Sequence, residues 1–572
     1  MRTRGRRHFV KLVGALGLAV TIVIFAAAPA FAHAELTSSS PSAGTTSASS
    51  PTEIQLTFSE NVEISLSSLQ VFDQSAKPID IGAPHHSPKS DSIVQATVPH
   101  LVDGGYVVTW RVISADSHPV HGAFTFSVGH SSGDIQKRAA QLEASSGGDK
   151  TVGVSFAIAR AFLFAGIALL IGGVAFAAAI RPHGRRRSRA DALVSAGWIM
   201  AFAATIVALL LQGPYADGRP VTDAFHLAVV RAVLHTRYGH IAEIRIAVLL
   251  LALPLLFVLR KSWRPERGWW ALAVPLGFLL AATPGLAGHA ATGTFTQFAV
   301  PIDALHVIAM SVWLGGLAAL TLTVLDHDPD ARRAATRFSP VALWSVVLIV
   351  GSGVFAAWRQ VGWTRDAFTD TTYGRLLLVK IGVFVGLIAL AAVSRRIVNT
   401  NRPMALSAAV ATETAPDSAG RPDPIDREVR HLRWSVGAEL VFGIAVLVIT
   451  SMLVNAQPAR SALSLPFSTE LRQPTMLIDV SIDPAKSGQP IVIHLYMLTP
   501  SGANEYTKDA TATLALPSKG IAPIEIPLDR AGPNHFRNTS FVVPFAGKWQ
   551  LVVRAFHTDT DEVAAQTDVN FR

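Results

Sequence analysis

Cysteine is absent from this chain. Disulfides are therefore excluded from any exported part, and a soft-metal site has to rest on methionine or histidine instead of thiolate. Charge is scarce too. Asp, Glu, Lys and Arg make up 16% of the 572 residues against 50% hydrophobic ones, a balance that excludes one large soluble domain and fits a membrane protein. Methionine is missing between Met1 and Met200, so that third of the chain has no thioether ligands. No Walker loop and no Asp-Lys-Thr-Gly phosphorylation motif is present, which argues against an ATP-driven pump. The net charge is +9, but the arginines cluster in short loops between apolar runs. That pattern reads as membrane orientation and not as nucleic-acid binding.

What is present begins with a secretory signal over residues 1–32. It has a basic opening (Arg2, Arg4, Arg6, Arg7), an apolar run from Leu12 to Ala28, and Ala30-Phe31-Ala32 before the expected cut. Cleavage there makes His33 the first residue, and an N-terminal histidine offers its α-amine and its imidazole to one metal in a single chelate ring. Asp116 and His118 stand two apart, a spacing that puts both on one face of a strand. Three nitrogens and one carboxylate oxygen suit Cu(II) in a tetragonal arrangement.

Between Glu53 and Val128 apolar residues alternate with polar ones: Ile54, Leu56, Phe58; Tyr106, Val108, Trp110, Val112; Phe124, Phe126, Val128. This predicts a small antiparallel β-sandwich or barrel of about seven strands, with His85-His86 in a solvated loop. His33-Ala-Glu-Leu, Gln55-Leu-Thr-Phe-Ser59 and Val112-Ile-Ser-Ala-Asp-Ser-His-Pro-Val-His-Gly122 resemble the CopC family of periplasmic copper-binding proteins. The resemblance implies that His33, Asp116 and His118 bind Cu(II). Some members of that family also bind Cu(I) through a Met-rich segment, which this domain lacks.

A polar linker over 131–150 leads to eight apolar segments near 153–180, 192–211, 243–260, 269–288, 302–325, 339–357, 375–394 and 435–455. Each is long enough to cross a bilayer. With the CopC-like domain outside, the inner loops carry nineteen Lys and Arg residues and the outer loops six, so both ends of the membrane region are expected outside. The domains expected are the signal (1–32), a CopC-like domain (33–130), the linker (131–150), a membrane domain (151–457) and an extracytoplasmic tail (458–572). The tail returns to period-two patterns and predicts a second β-sandwich. In it His494, Met497 and His535, with His557 nearby, form a weak candidate for a second metal site.

Polar groups in membrane spans are expensive and point to function. The fifth span carries Asp303, His306, Met310 and Trp313 at helical spacing, which gathers them on one face. An imidazole and a thioether one turn apart make a transient copper site, with Met310 favouring Cu(I). His289 ends the fourth span and is expected to face His306 across a short outer loop, above which His226, His235 and His240 would line a vestibule. Arg160 and Lys380 are candidates to pair with Asp303 or Glu243, and Glu439 is expected either to serve as a proton or metal step or to snorkel toward the inner surface. Asp303-Ala-Leu-His-Val-Ile-Ala-Met-Ser-Val-Trp-Leu-Gly-Gly-Leu317 and Tyr373-Gly-Arg-Leu-Leu-Leu-Val-Lys380 resemble the CopD family of copper-resistance membrane proteins, over about 151–455. That resemblance implies copper movement across the plasma (inner) membrane. The expectation is a non-enzymatic, multi-pass copper importer or homeostasis protein whose partners are copper and lipid, with His289, Asp303, His306 and Met310 on the path. Two rivals stay open: a haem-binding membrane oxidoreductase using His289 and His306, and a membrane-anchored copper-binding protein without transport.

Overall fold

The computed structural model describes residues 34–571 apart from 35, 42–45, 48, 65–67, 130–134, 136–137, 140, 143–147, 181–184, 263–266, 294, 324–330, 401–423, 463–466, 484, 489, 501–504 and 559–560. The chain divides into two compact units. One holds the helices over 150–214 and 221–459. The other holds both β regions, together with residues 215–220.

The first β region has ten strands: β1 (Leu36–Ser40), β2 (Thr46–Ser47), β3 (Glu53–Phe58), β4 (Val62–Glu63), β5 (Leu69–Asp73), β6 (Pro78–Ile79), β7 (His85–Ser87), β8 (Ser90–Thr97), β9 (Gly104–Ser114) and β10 (Pro119–Val128). Among the described residues they form two open sheets and no closed barrel, in the orders β1-β3-β8-β7 and β2-β10-β9-β5-β6, with β4 also on β9. The alternation in the sequence decides which side chains turn inward. Ile54, Leu56 and Phe58 from one sheet meet Val71, Val108, Trp110, Val112, Phe124 and Phe126 from the other in one core. The strand count exceeds the expected seven because three two-residue strands carry no periodicity to read. His85 and His86 lie on β7, paired with β8, and not in a loop. Pairing to a neighbouring strand outweighed the flanking prolines.

The helical unit contains α1 (Lys150–Ile180), α2 (Arg185–Asp217), α3 (Leu227–Leu234), α4 (Arg237–Ser262), α5 (Arg267–Leu286), α6 (Thr296–Met310), α7 (Gly316–Thr323), α8 (Ala331–Gln360), α9 (Arg365–Thr369), α10 (Thr372–Thr400) and α11 (Pro424–Asn455). A π-helical turn, Ser311–Gly315, joins α6 to α7, so these three make one span. Among the described residues, eight helices are long and apolar enough to cross a membrane. At about 1.5 Å per residue, α4 is roughly 39 Å long and exceeds the hydrocarbon layer of about 30 Å. Large apolar side chains point outward along α8 (Leu343, Trp344, Val347, Leu348) and α10 (Leu378, Val379), the dress of a lipid-facing surface.

The interior is held by close backbone approach. A Cβ on Gly172 of α1 would fall 2.0 Å from the Ser311 carbonyl oxygen, and one on Gly315 would fall 2.0 Å from that of Ala168. Both positions require glycine, and the contact sets α1 against the π turn. Glu439 on α11 is buried at 3% exposure and does not snorkel to the surface. Packing against neighbouring helices overrides the reach of its side chain.

The second β region pairs a five-stranded sheet, β11-β12-β13-β17-β16, with a four-stranded one, β15-β14-β18-β19. These strands run from β11 (Phe467–Arg472), β12 (Leu477–Asp483) and β13 (Pro490–Leu498) through β14 (Asp509–Leu516), β15 (Ile521–Ile526), β16 (Asp529–Gly532) and β17 (His535–Val542) to β18 (Gly547–Phe556) and β19 (Glu562–Phe571). Ile478, Val480, Ile493, Leu495, Leu514, Trp549 and Val553 fill the core between the sheets.

Candidate metal sites and the membrane cavity

Asp116 and His118 sit on the turn between β9 and β10, not on a strand. Ser117 N–H donates to the Ser114 carbonyl at 2.8 Å and Ser114 N–H to the His118 carbonyl at 2.9 Å, closing the hairpin. Ser117 takes a left-handed conformation, φ 69°. The turn brings the pair together: Asp116 Oδ1 accepts from the His118 N–H at 3.1 Å and lies 3.3 Å from His118 Nδ1. This is the local bond that Asp favours two residues ahead of a backbone N–H. Both side chains are out of solvent, Asp116 at 0% and His118 at 4% exposure. Glu60 braces the turn, its carboxylate accepting from the Ser114 hydroxyl and from the Ala115 N–H at 3.3 Å. Ala34 N–H donates to Ser114 Oγ at 3.2 Å, tying the start of the described chain to the same turn. His33 itself lies outside the described residues.

Within the helical unit a cavity of about 520 Å³ collects all four membrane candidates, His289, Asp303, His306 and Met310. α6 supplies three of them, and Trp313 of the π turn follows on the same side. His306 Nδ1 lies 2.8 Å from Ser352 Oγ on α8. Ser352 donates its own proton to the Leu348 carbonyl at 2.5 Å, so the imidazole is the donor and its Nε2 keeps the lone pair. His289 lies in a short 3₁₀ turn, His289–Ala291, after α5. Arg359 holds that turn by donating to the carbonyls of His289, at 3.2 Å, and Thr292. A Cβ on Gly285 would come within 2.4 Å of Asp303 Oδ2, so glycine there makes the room for the carboxylate.

Several cavity residues lack a clear sequence signal. Arg245 on α4 is 2% exposed and donates from Nε to Thr283 Oγ1 at 2.8 Å. Arg359 counts as an outer-loop charge by sequence, yet it lines the cavity with Ser352 and Tyr373. Arg160 donates to Asn455 Oδ1 at 2.5 Å and stacks over Phe156, while Glu243 is exposed. His226, His235 and His240 are exposed and none of them lines the cavity.

In the second β region the sheet's period of two separates the third candidate set. His494 and His535 meet on the outer face of the five-stranded sheet, His494 Nδ1 2.9 Å from His535 Nε2, with Tyr496 stacked on His535 at 4.3 Å between ring centroids. Met497 is fully buried among the core residues. It faces the opposite side of β13 and cannot join the two histidines. Burial and the Arg537 charge hold His494 down to about 4, and burial with His494 and Arg537 holds His535 down to about 3. The pair is therefore neutral at pH 7. His557 lies elsewhere, 3.9 Å from Glu505.

Three family models match this chain, one after another along the sequence. Residues 36–129 match the family model of the CopC domain, 151–298 that of the copper resistance protein D-like N-terminal domain, and 332–453 that of copper resistance protein D. The chain is similar to the copper transport protein CutJ of Bacillus subtilis (strain 168), 26% identical over 570 residues, covering 95% of this chain and 96% of that protein. It is similar to copper resistance protein C of Escherichia coli, 37% identical over 116 residues, 19% of this chain and 90% of that one. Among solved structures it matches CopC from Methylosinus trichosporium OB3b at 33% identity, over 17% of this chain and 93% of that one, with a TM-score of 0.16. A CopC domain and CopD membrane domains follow one another in a single polypeptide, and the chain belongs to the CopC/CopD copper-resistance family.

Proposed function

We propose that this protein imports copper across the plasma membrane: an exported domain, 33–130, captures Cu(II), and the eight-helix domain, 151–457, carries copper inward. Residues 1–32 act as a cleaved signal, and both β domains lie outside the cell. The observation that carries this reading is the convergence of His289, Asp303, His306 and Met310 on one cavity. A membrane anchor needs none of these groups, and the two imidazoles and the carboxylate are costly to bury in a bilayer.

At the capture end, Asp116 and His118 supply an oxygen and a nitrogen already held together out of solvent. His33 supplies its amine and imidazole, and the tether of Ala34 to Ser114 supports this, since His33 is next to Ala34 in the chain. The α-amine, with a reference pKa of about 7.7–8.0, must lose its proton to bind, so capture strengthens as pH rises through neutrality. In the membrane, the Nε2 of His306 and the thioether of Met310 form a softer pair that suits Cu(I), and passage as Cu(I) requires a separate one-electron reductant to reduce the captured Cu(II) first. The test is copper accumulation in cells with and without the gene, beside reporter fusions after residues 330 and 460. Higher accumulation with the gene, a cytoplasmic reporter at 330 and an outside reporter at 460 are expected. Lower accumulation means export, and a cytoplasmic signal at 460 means a miscounted span.

A further inference from the structure

The cavity in the helical unit has the wrong size and the wrong charge for a bare metal cation. Its volume, about 520 Å³, falls among sites for small organic molecules, roughly 300–1,000 Å³. A metal ion with nitrogen donors about 2.0 Å away fills only a corner of such a space. Four cationic side chains line it, Arg160, Arg245, Arg359 and Lys380, against one carboxylate, Asp303. That carboxylate is shared, for both Lys380 and Arg359 act on it. Arg245 has Tyr238 and Thr283 as its hydrogen-bonding neighbours and feels Arg160 as a like charge. Lys380 and Asp303 each make no hydrogen bond and no ion pair among the described residues, although both face the cavity.

An excess of positive charge away from water is expensive, and it repels an incoming cation. It is relieved by an anion. A guanidinium presents a planar fork that matches a carboxylate, and an ammonium adds a point charge that can follow a second one. The rest of the lining is mainly apolar and aromatic, Phe164, Trp313 and Phe384 among it, which suits a short carbon skeleton between polar ends. We propose that this cavity binds a small organic carboxylate through Arg245 and Lys380 and, resting on the import reading above, that copper enters it as a carboxylate chelate instead of a bare ion. Asp303 then limits how much negative charge the occupant can carry, while His306 Nε2 and Met310 remain for the metal.

The test uses the full chain in nanodiscs of zwitterionic lipid, without copper, and radiolabelled citrate and acetate as probes. Saturable binding of at least one probe is expected. Lys380→Met should weaken it at least tenfold, and Arg245→Lys, which keeps the charge and loses the fork, several-fold. Asp303→Asn should strengthen it about threefold, a direction that damage to the bundle would not produce. Membrane protein level and elution of the purified helical protein as a single symmetric peak serve as the check that each variant is folded. The proposal is overturned if neither probe binds the wild-type protein, or if Asp303→Asn weakens binding as Lys380→Met does. Proteoliposome uptake then separates the two readings. Equal copper uptake from the perchlorate and the citrate salts leaves import standing and removes the chelate. Citrate binding without copper uptake from either salt keeps the carboxylate site and removes import.

Discussion

The Asp116–His118 turn and the membrane cavity both hold ionisable side chains out of water, but over very different distances along the chain. The turn needs two backbone hydrogen bonds across a few residues, the bond from the His118 N–H to Asp116 and a bracing carboxylate from Glu60. The cavity draws on residues from Arg160 to Val454, so its chemistry exists only once the helices have packed. The first is a compact site suited to one small cation, with an acid and an imidazole 3.3 Å apart. The second is roomy, cationic and mostly apolar. A local site can be tight because few degrees of freedom must be ordered, whereas a site between helices takes whatever volume their packing leaves.

If the two sites act in series as capture and passage, they should fail separately. The largest effect is expected at the capture end. Leaving a single extra residue before His33 removes the amine–imidazole chelate, and Cu(II) affinity should fall at least about 100-fold, as far as it does in His118→Ala, since outer partners of a ligand alone are worth 10–100-fold. Competition with a chelator of known strength measures it. Equal affinity in the extended form would dismiss the N-terminal chelate.

Next comes His306→Ala, which should lower cellular copper uptake about tenfold and leave Cu(II) capture unchanged. Membrane protein level must be measured alongside, because the change also removes the 2.8 Å bond to Ser352. Normal uptake at a normal level would take His306 off the copper path and favour the anchored-protein rival.

A third contrast sets the His494–His535 pair against the capture turn. Both histidines titrate well below the ordinary 6.5, at about 4 and about 3, because they are buried beside Arg537. The unfolded chain therefore takes up protons first as pH falls. The stability conferred by the neutral pair is complete above pH 6.5 and drains away toward pH 4, by about 2–4 kcal/mol. The protection factors of the β13 and β17 amides in the full chain, each exchange rate being divided by the intrinsic rate at its own pH, should fall accordingly from pH 7.5 to 4.5. Protection that does not change over this range would contradict a buried neutral pair.

The smallest effect is expected for Met310→Leu, near in volume and equally apolar, with uptake lowered about twofold. Combined with His306→Ala it should add nothing further if the two act as one site. Plain additivity would separate them.

How much of this was legible beforehand follows from the range of the interactions. The alternation of Ile54, Leu56 and Phe58 and the apolar runs of the eight spans are local signals, and they determined two β-sandwiches flanking an eight-helix membrane domain. The Asp-x-His motif was equally local, although a turn and not a strand brings the pair together. Period two also placed Met497 on the face opposite His494, a consequence already contained in their odd spacing of three. Only the tertiary structure decided that Arg245, Arg359 and Lys380 share one cavity with Asp303 and His306. Their positions lie on helices far apart in the sequence, and a hydropathy pattern reports how apolar a segment is without saying which of its faces meets which neighbour. Glycines such as Gly172, Gly285 and Gly315 set those meetings by letting backbones and a carboxylate approach where any side chain would clash. In the sequence they are three glycines among 42, and packing alone gives them their meaning.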